Sequence, residues 1–341
     1  MPSGPSETEF RNIISQMVTD MREPTASGLH GEMGVIEVEG IVSADNFRQY
    51  VIADESEMVA VDGGSSTLLD AGSFVVAGIR VGSARYSGRR YVPGNEPEMH
   101  MLHLSVHELA NAYSIFFSKT VGTEPPDSPR GLEEAVGRIR TLMEWKYLEE
   151  TLDAGLEPGT VLAFDGALWA GIKGIGRMLE RIVSKASERE VTLCGISKKS
   201  MLTHKSRPLI PSVQMAGESA LPGEAWHYPV EVDGQGGKLH GKVHVAKLHP
   251  HSRYAFRVDL ALPNGITAGE AMGKLSYHAN DPTYAGYPYP LARVHNDVAF
   301  SRSQVEDLRN MLRSRAIQAG MDPAEWQMTF QNFHDVLDVN R

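Results

Sequence analysis

The chain has 341 residues, 33 basic and 43 acidic side chains, a formal net charge of −10 and one cysteine, Cys194. Hydrophobic residues at 41% and charged residues at 22% fit an ordinary globular protein and exclude wholesale disorder, and a lone cysteine excludes a disulfide framework or a cysteine-rich zinc module. The first residues, MPSGPSETEF, lack a basic stretch leading into an apolar core, and the longest apolar run, near Phe74–Val81, is far short of the ~20 residues that cross a bilayer. The expectation is a soluble cytoplasmic protein with no membrane role.

The elements follow in order. Residues 8–21 place Ile13, Ile14, Met17 and Met21 at helical spacing, and Pro24 closes that helix. Met33–Val42, Met58–Val61, Ser73–Gly82, Arg89–Val92 and Met99–Leu104 read as short, mostly antiparallel strands. Helices are predicted over Leu132–Leu152 and Gly171–Glu190, with buried strands at Thr160–Phe164 and Val191–Ile196. Residues 206–240, rich in Pro and Gly, read as a loop-rich excursion, and Lys242–Leu248 with Tyr254–Leu260 as a β-hairpin. A last helix is expected over Ser303–Ala319, with Ser303 as N-cap and Gly320 beyond its end. The order predicts an α/β fold, a mixed sheet flanked by helices with loop-rich and hairpin elaborations, and no linker divides the chain. No internal repeat is visible, which excludes solenoids and propellers.

Charge is uneven. Residues 1–60 hold 11 acidic and 3 basic residues, whereas residues 171–210 hold 9 basic and 3 acidic. The overall negative charge argues against a protein that coats nucleic acid by bulk attraction. It does not exclude a nuclease, whose metal-binding carboxylates add negative charge. Lys173, Arg177, Arg181 and Lys185 recur every four residues and Lys198 and Lys199 follow the next strand, so these cations are candidates for a DNA track.

Two segments carry the chemistry, VAVDGGSS at 59–66 and LAFDGAL at 162–168. Each places an Asp directly after a buried apolar strand and before a Gly expected to turn the chain. Asp62 and Asp165 can then converge on a hard divalent cation, and two such ions can activate water and stabilise a leaving oxygen in phosphodiester cleavage. Asp-Gly is also ordinary turn chemistry. In the helix before Asp165, Val136, Ile139, Met143, Tyr147 and Leu148 mark the core stripe. Glu144 borders it, either as a third ligand or as a partner of Arg140 four residues earlier. Glu149 and Glu150 lie further round. The Pro-broken stretch Ala285–Phe300 gathers Tyr287, Tyr289, Arg293, His295 and Asp297; it reads as an aromatic strand whose His can ligate a metal or move a proton. The HELAN segment at 107–111 lacks the second His of a zinc helix, and His240, His244, His249 and His251 read as solvent-facing.

Taken in order, VAVDGGSS, a helical Glu ahead of LAFDGAL, GISKKS at 195–200, and the Tyr287–His295 pair resemble the NurA nucleases over residues 55 to 300. The resemblance implies an RNase H-like core at 55–300 within one domain spanning 1–341, flanked by an N-terminal helix-and-strand extension at 1–54 and a C-terminal helical segment at 301–341. It implies a homodimeric, nucleoid-associated DNA nuclease that depends on Mn²⁺, with Mg²⁺ as the alternative and two ions as the expected number. The implied activity is single-strand endonuclease and 5′-to-3′ exonuclease, processing DNA ends for recombinational repair with a hexameric HerA-type translocase. Asp62, Asp165, Tyr287 and His295 match the family's catalytic positions, and Glu144 matches the helical Glu, with Glu149 as its alternative. Two other readings remain. Asp62–Thr67 fits the D-x-G-x-x-T phosphate loop of actin-like ATPases and sugar kinases, and the same fold could serve as a non-catalytic DNA-end-binding subunit.

Overall fold

The structure, a computed structural model, describes residues 7–22, 36–38, 42–205, 207–232 and 239–330. Helix α1 (Glu7–Arg22) is followed by β1 (Ile36–Glu37), β2 (Glu57–Asp70), β3 (Phe74–Ser87), β4 (Arg90–Val92) and β5 (Glu98–Ser105). Then come α2 (Leu109–Val121), α3 (Leu132–Asp153), β6 (Val161–Asp165), α4 (Gly176–Glu188), β7 (Thr192–Ser197), β8 (Leu202–His204), β9 (Arg207–Pro208) and α5 (Leu209–Ala220). The chain continues through β10 (Trp226–Val230), β11 (Lys242–Lys247), β12 (Phe256–Ala261), α6 (Ala268–Tyr277), α7 (Tyr289–Val298), α8 (Arg302–Gln318) and α9 (Pro323–Phe330).

The architecture is mixed α/β. A nine-stranded sheet runs β10-β11-β12-β7-β6-β2-β3-β4, with β5 also paired to β3. Its centre is parallel, β2 with β6 and β6 with β7, and the outer pairings are antiparallel. Side chains alternate across it, as the pleat requires. Val59, Val61, Leu162 and Phe164 pack with α2, α3 and α4 on one face. Met58, Ala60, Val161 and Ala163 pack with α6 and α7 on the other. A third cluster gathers α5, β10 and β11 around the fully buried Trp226.

Several expectations are corrected. β2 runs for 14 residues, straight through Asp62-Gly63-Gly64, so the glycines do not turn the chain; Asp62 pairs with Gly82 and Gly63 with Val81 in an unbroken ladder. Residues 206–240 hold helix α5 and strand β10 among their described residues, built on the apolar Leu209, Val213, Trp226 and Tyr228. The Ala285–Phe300 segment is a helix from Tyr289 to Val298 and not a strand. Pro290 sits in the first turn of α7, where its missing N–H costs no bond. Helix α4 begins only at Gly176, because Gly174 takes a positive φ of 90° that ends the preceding turn. The N-cap of α8 is Ser301, whose side chain accepts from Gln304 N–H in a capping box, not Ser303. His244 is buried and not solvent-facing. The strand expected over Met33–Val42 is described only at residues 36–38 and 42; the rest lies outside the described residues.

Candidate active site

The alternation that builds the core also builds the site. Asp62 continues the face of Met58 and Ala60, and Asp165 continues that of Val161 and Ala163. The strands are parallel and in register, Val61 opposite Phe164, so the next residues on both bring two carboxylates side by side facing α7. There His295 Nδ1 lies 2.9 Å from Asp62 Oδ2 and 3.8 Å from Asp165 Oδ2. Ligand atoms of Asp62, Asp165 and His295 all fall within 4.8 Å of one another, close enough to share one metal ion.

Glu144 arrives from the opposite layer. Trp145 stacks on Phe164 at 4.4 Å between ring centroids and fixes α3 against the end of β6. Its neighbour Glu144 is thereby pressed over Gly63, where a Cβ would stand 2.6 Å from Glu144 Oε1. A Cβ on Gly64 would collide with the carbonyl oxygen of Val298 at the end of α7. The two glycines therefore admit a carboxylate from one side and a helix end from the other. Glu144 is only 4% exposed, deeper than its place beside the sequence stripe implies. Leu142 and Trp145 belong to the buried face of α3, which widens the stripe until it includes Glu144.

The carboxylates also act on one another. Burial, and then the Asp165 charge, push the Asp62 carboxyl above its ordinary value. Burial raises Glu144 to about 8, with Asp62 and Asp165 adding to the shift and Arg140 opposing it. Arg140 Nη1 lies 3.3 Å from Glu144 Oε1 and donates to Gly63 O at 2.9 Å. Glu144 Oε1 is nevertheless buried with no hydrogen-bond partner among the described residues. Lys198 Nζ donates to Asp165 Oδ2 at 2.7 Å and lies 5.1 Å from the centre of the Tyr287 ring. The Tyr287 hydroxyl, also buried, is directed toward Asp165 without closing a hydrogen bond; burial first, then the two aspartates, push its phenol up, so it stays protonated.

The donor set fits a hard divalent cation. Carboxylate oxygens with one imidazole nitrogen suit a divalent cation. Glu144 Oε1, buried without a hydrogen bond and paired only with the Arg140 guanidinium at 3.3 Å, adds a third carboxylate nearby.

The loop after Asp165 is held from below by residues the sequence reading passed over. Asp259 on β12 is fully buried and accepts from Leu168 N–H at 2.9 Å and from Arg257 Nε and Nη2 at 2.8 and 2.9 Å. At Gly195 on β7 a Cβ would stand 2.5 Å from Gly166 O, so the loop rests directly on the strand. The available signal was an Arg and an Asp two apart, on one face of an otherwise apolar strand.

The candidate cations divide. Lys198 is at the site, and Lys199 is exposed beside it. Arg177 is exposed on α4. Arg181 grips Glu149 through two bonds of 2.7 and 2.9 Å, Lys185 bonds Glu149 and Asp153, and Lys173, off the helix, lies 3.3 Å from Asp127. Glu149 is thus engaged by α4, and these bonds hold its carboxyl below the ordinary value. The D-x-G-x-x-T segment at 62–67 is strand throughout and forms no phosphate-cradling turn.

The fold is NurA-like. The crystal structure of the NurA nuclease from Sulfolobus solfataricus superposes with a TM-score of 0.54 at 14% identity, covering 92% of this chain and 95% of that one. A crystal structure of NurA with manganese gives 0.55 at 9% identity, covering 94% and 99%. No family sequence model matches the chain, and no curated protein matches it by sequence. Among the described residues, no helix is long and apolar enough to cross a membrane.

Proposed function

We propose that the chain is a divalent-metal-dependent DNA nuclease whose centre is formed by Asp62, Glu144, Asp165 and His295, with Tyr287 and Lys198 beside it. The observation that carries this reading is the cluster of Asp62, Asp165 and His295 from β2, β6 and α7, with the buried Glu144 of α3 close enough for both aspartates to act on its charge. Mn²⁺ is the metal of choice, with Mg²⁺ an alternative and two ions the expected number; a similar fold solved with manganese supports it. The metal, when bound, would polarise the scissile phosphate and lower the pKa of the attacking water.

The protein's own groups do the rest. Asp62, Glu144 and Asp165 supply the negative charge that holds the metal. Lys198, whose Nζ lies 2.7 Å from Asp165 Oδ2, is placed to offset charge on the phosphate. His295 keeps its Nδ1 toward Asp62 and leaves Nε2 as the ring's second proton site. Tyr287, held protonated, donates to the phosphate or the water. Lys199 and Arg177, with Lys173 and Arg181 where their ion pairs open, extend the track along the DNA backbone.

The activity is single-strand endonuclease and 5′-to-3′ exonuclease, used on DNA ends in recombinational repair by a homodimer working with a hexameric HerA-type translocase. The test uses single-stranded and duplex DNA labelled at the 5′ or 3′ end, with Mn²⁺, Mg²⁺ or EDTA. Metal-dependent products shortening from the 5′ end support the reading. DNA binding without cleavage, with and without the translocase and ATP, would favour the non-catalytic end-binding subunit.

A further inference from the structure

Helices α8 and α9 close a cavity of about 400 Å³ against the end of β2. Gly320 takes a positive φ of 103° at the turn between them, and the N–H groups of Gly320 and Met321 bond Ile317 O and Ala316 O. That turn carries α9 back toward the β2–β3 hairpin, where Trp326 is buried and packs on Phe330 at 4.5 Å between ring centroids. Phe330 in turn meets the Phe74 ring of β3 edge-on at 5.9 Å. The cavity is therefore walled by elements that hold one another in place.

Its polar lining is Arg309, Asn310 and Arg313 of α8. The Arg309 Nε donates to Leu68 O, which fixes that guanidinium at the cavity. Neither Arg309 nor Arg313 has a carboxylate partner among the described residues, whereas Arg302 on the same helix pairs with Glu306 at 3.4 Å. Two cations one helical turn apart repel each other, and an anion between them removes the conflict. Asp70 is the one carboxylate in the lining among the described residues, and its Oδ1 accepts from Gly72 N–H at 2.7 Å. Two guanidinium forks against one occupied carboxylate, with an amide beside them, suit an oxyanion with several acceptor oxygens. We infer that this cavity is a binding site for a phosphate group, held by Arg309, Arg313 and Asn310 against the Trp326 indole. The site is separate from the carboxylate centre, because Leu68 lies six residues beyond Asp62 on β2, roughly 20 Å at ~3.3 Å per strand residue. It stands or falls without the nuclease reading. A free polyphosphate or nucleotide and a DNA backbone offer the same phosphate chemistry, and the test tells these sources apart.

The test reads the tryptophan fluorescence of the full-length protein in EDTA, at fixed ionic strength, as inorganic pyrophosphate or a short DNA duplex is added. Wild-type protein should show a saturable change that Trp326→Phe removes. Arg309→Gln with Arg313→Gln should weaken binding about tenfold. Arg313→Gln alone, which breaks no bond among the described residues, should weaken it severalfold. Asp62→Asn should leave the response unchanged. A response to pyrophosphate identifies a free phosphate ligand, and a response to the duplex alone identifies the DNA backbone. No Trp326-dependent change with either probe, or a change kept in full by the glutamine pair, overturns the inference. So does a response lost in Asp62→Asn, since the phosphate would then sit at the carboxylate centre.

Discussion

Glu144 occupies the space that a side chain on Gly63 would fill, its Oε1 lying 2.6 Å from where that Cβ would be. A carboxylate from a helix in one layer thus packs onto the strand beside Asp62 only because the next residue has no side chain. Gly63→Ala should displace Glu144 and lower cleavage at least ~100-fold while the protein stays folded. Gly64→Ala meets backbone at Val298, which cannot swing away, and should cost roughly 1–3 kcal/mol of stability. Urea unfolding beside single-turnover cleavage separates the two outcomes.

The raised pKa of Glu144 has a direct consequence for protein kept in EDTA. A carboxyl near 8 when folded and 4.5 in its ordinary state binds its proton more tightly in the folded form. Its contribution to stability is therefore fully present below pH ~4.5 and is lost as pH rises toward 8. Glu144→Gln, which mimics the protonated carboxyl, should flatten the fall in Tm between pH 5 and pH 9 and give the higher Tm at pH 9, by a few °C. It should also abolish cleavage. Thermal melts across that range check the first expectation, and a Tm profile unchanged from wild type would contradict it.

Arg257 and Asp259 form a buried pair whose second task is to hold Leu168 N–H, three residues beyond Asp165. Asp259→Leu alone strands a buried guanidinium and should destabilise by ~3–5 kcal/mol. Arg257→Met with Asp259→Leu should recover most of that stability but leave the loop untethered. Cleavage by the double variant should stay reduced when urea unfolding shows its stability restored.

The cations should separate by what already binds them. Arg181 is half exposed and paired with Glu149, so Arg181→Ala should cost at most about 1 kcal/mol of stability and lower DNA affinity less than loss of Lys199 or Arg177, since its ion pair must open before it joins the track. Lys199→Ala and Arg177→Ala should each reduce the salt slope of DNA binding by about one. Fluorescence anisotropy in EDTA over a salt series measures this.

How far the sequence foretold these features follows from which contacts are local. The strand segments leading into Asp62 and Asp165 are legible because Val59–Val61 and Leu162–Phe164 are short apolar runs at the parallel centre of a sheet. The glycines after Asp62 suggest a turn from sequence alone, because their reason for being Gly lies in α3 and α7, far along the chain. Helix α7 was hidden by Pro288 and Pro290, which break a strand pattern but are tolerated at a helix start. The basic stripe of α4 was visible. Its partners, Glu149 and Asp153, sit on another helix, so the pairing that spends Arg181 and Lys185 was not.

The most direct test of the account is the rate at which a labelled single-stranded oligonucleotide is cut by wild-type protein and by Asp62→Asn, each in Mn²⁺ and in EDTA. The account predicts cutting only by the wild type and only with metal, with DNA binding kept or tightened in Asp62→Asn as one negative charge is removed. Metal-dependent cutting that survives in Asp62→Asn would contradict it, because the reaction would then lie elsewhere in the molecule.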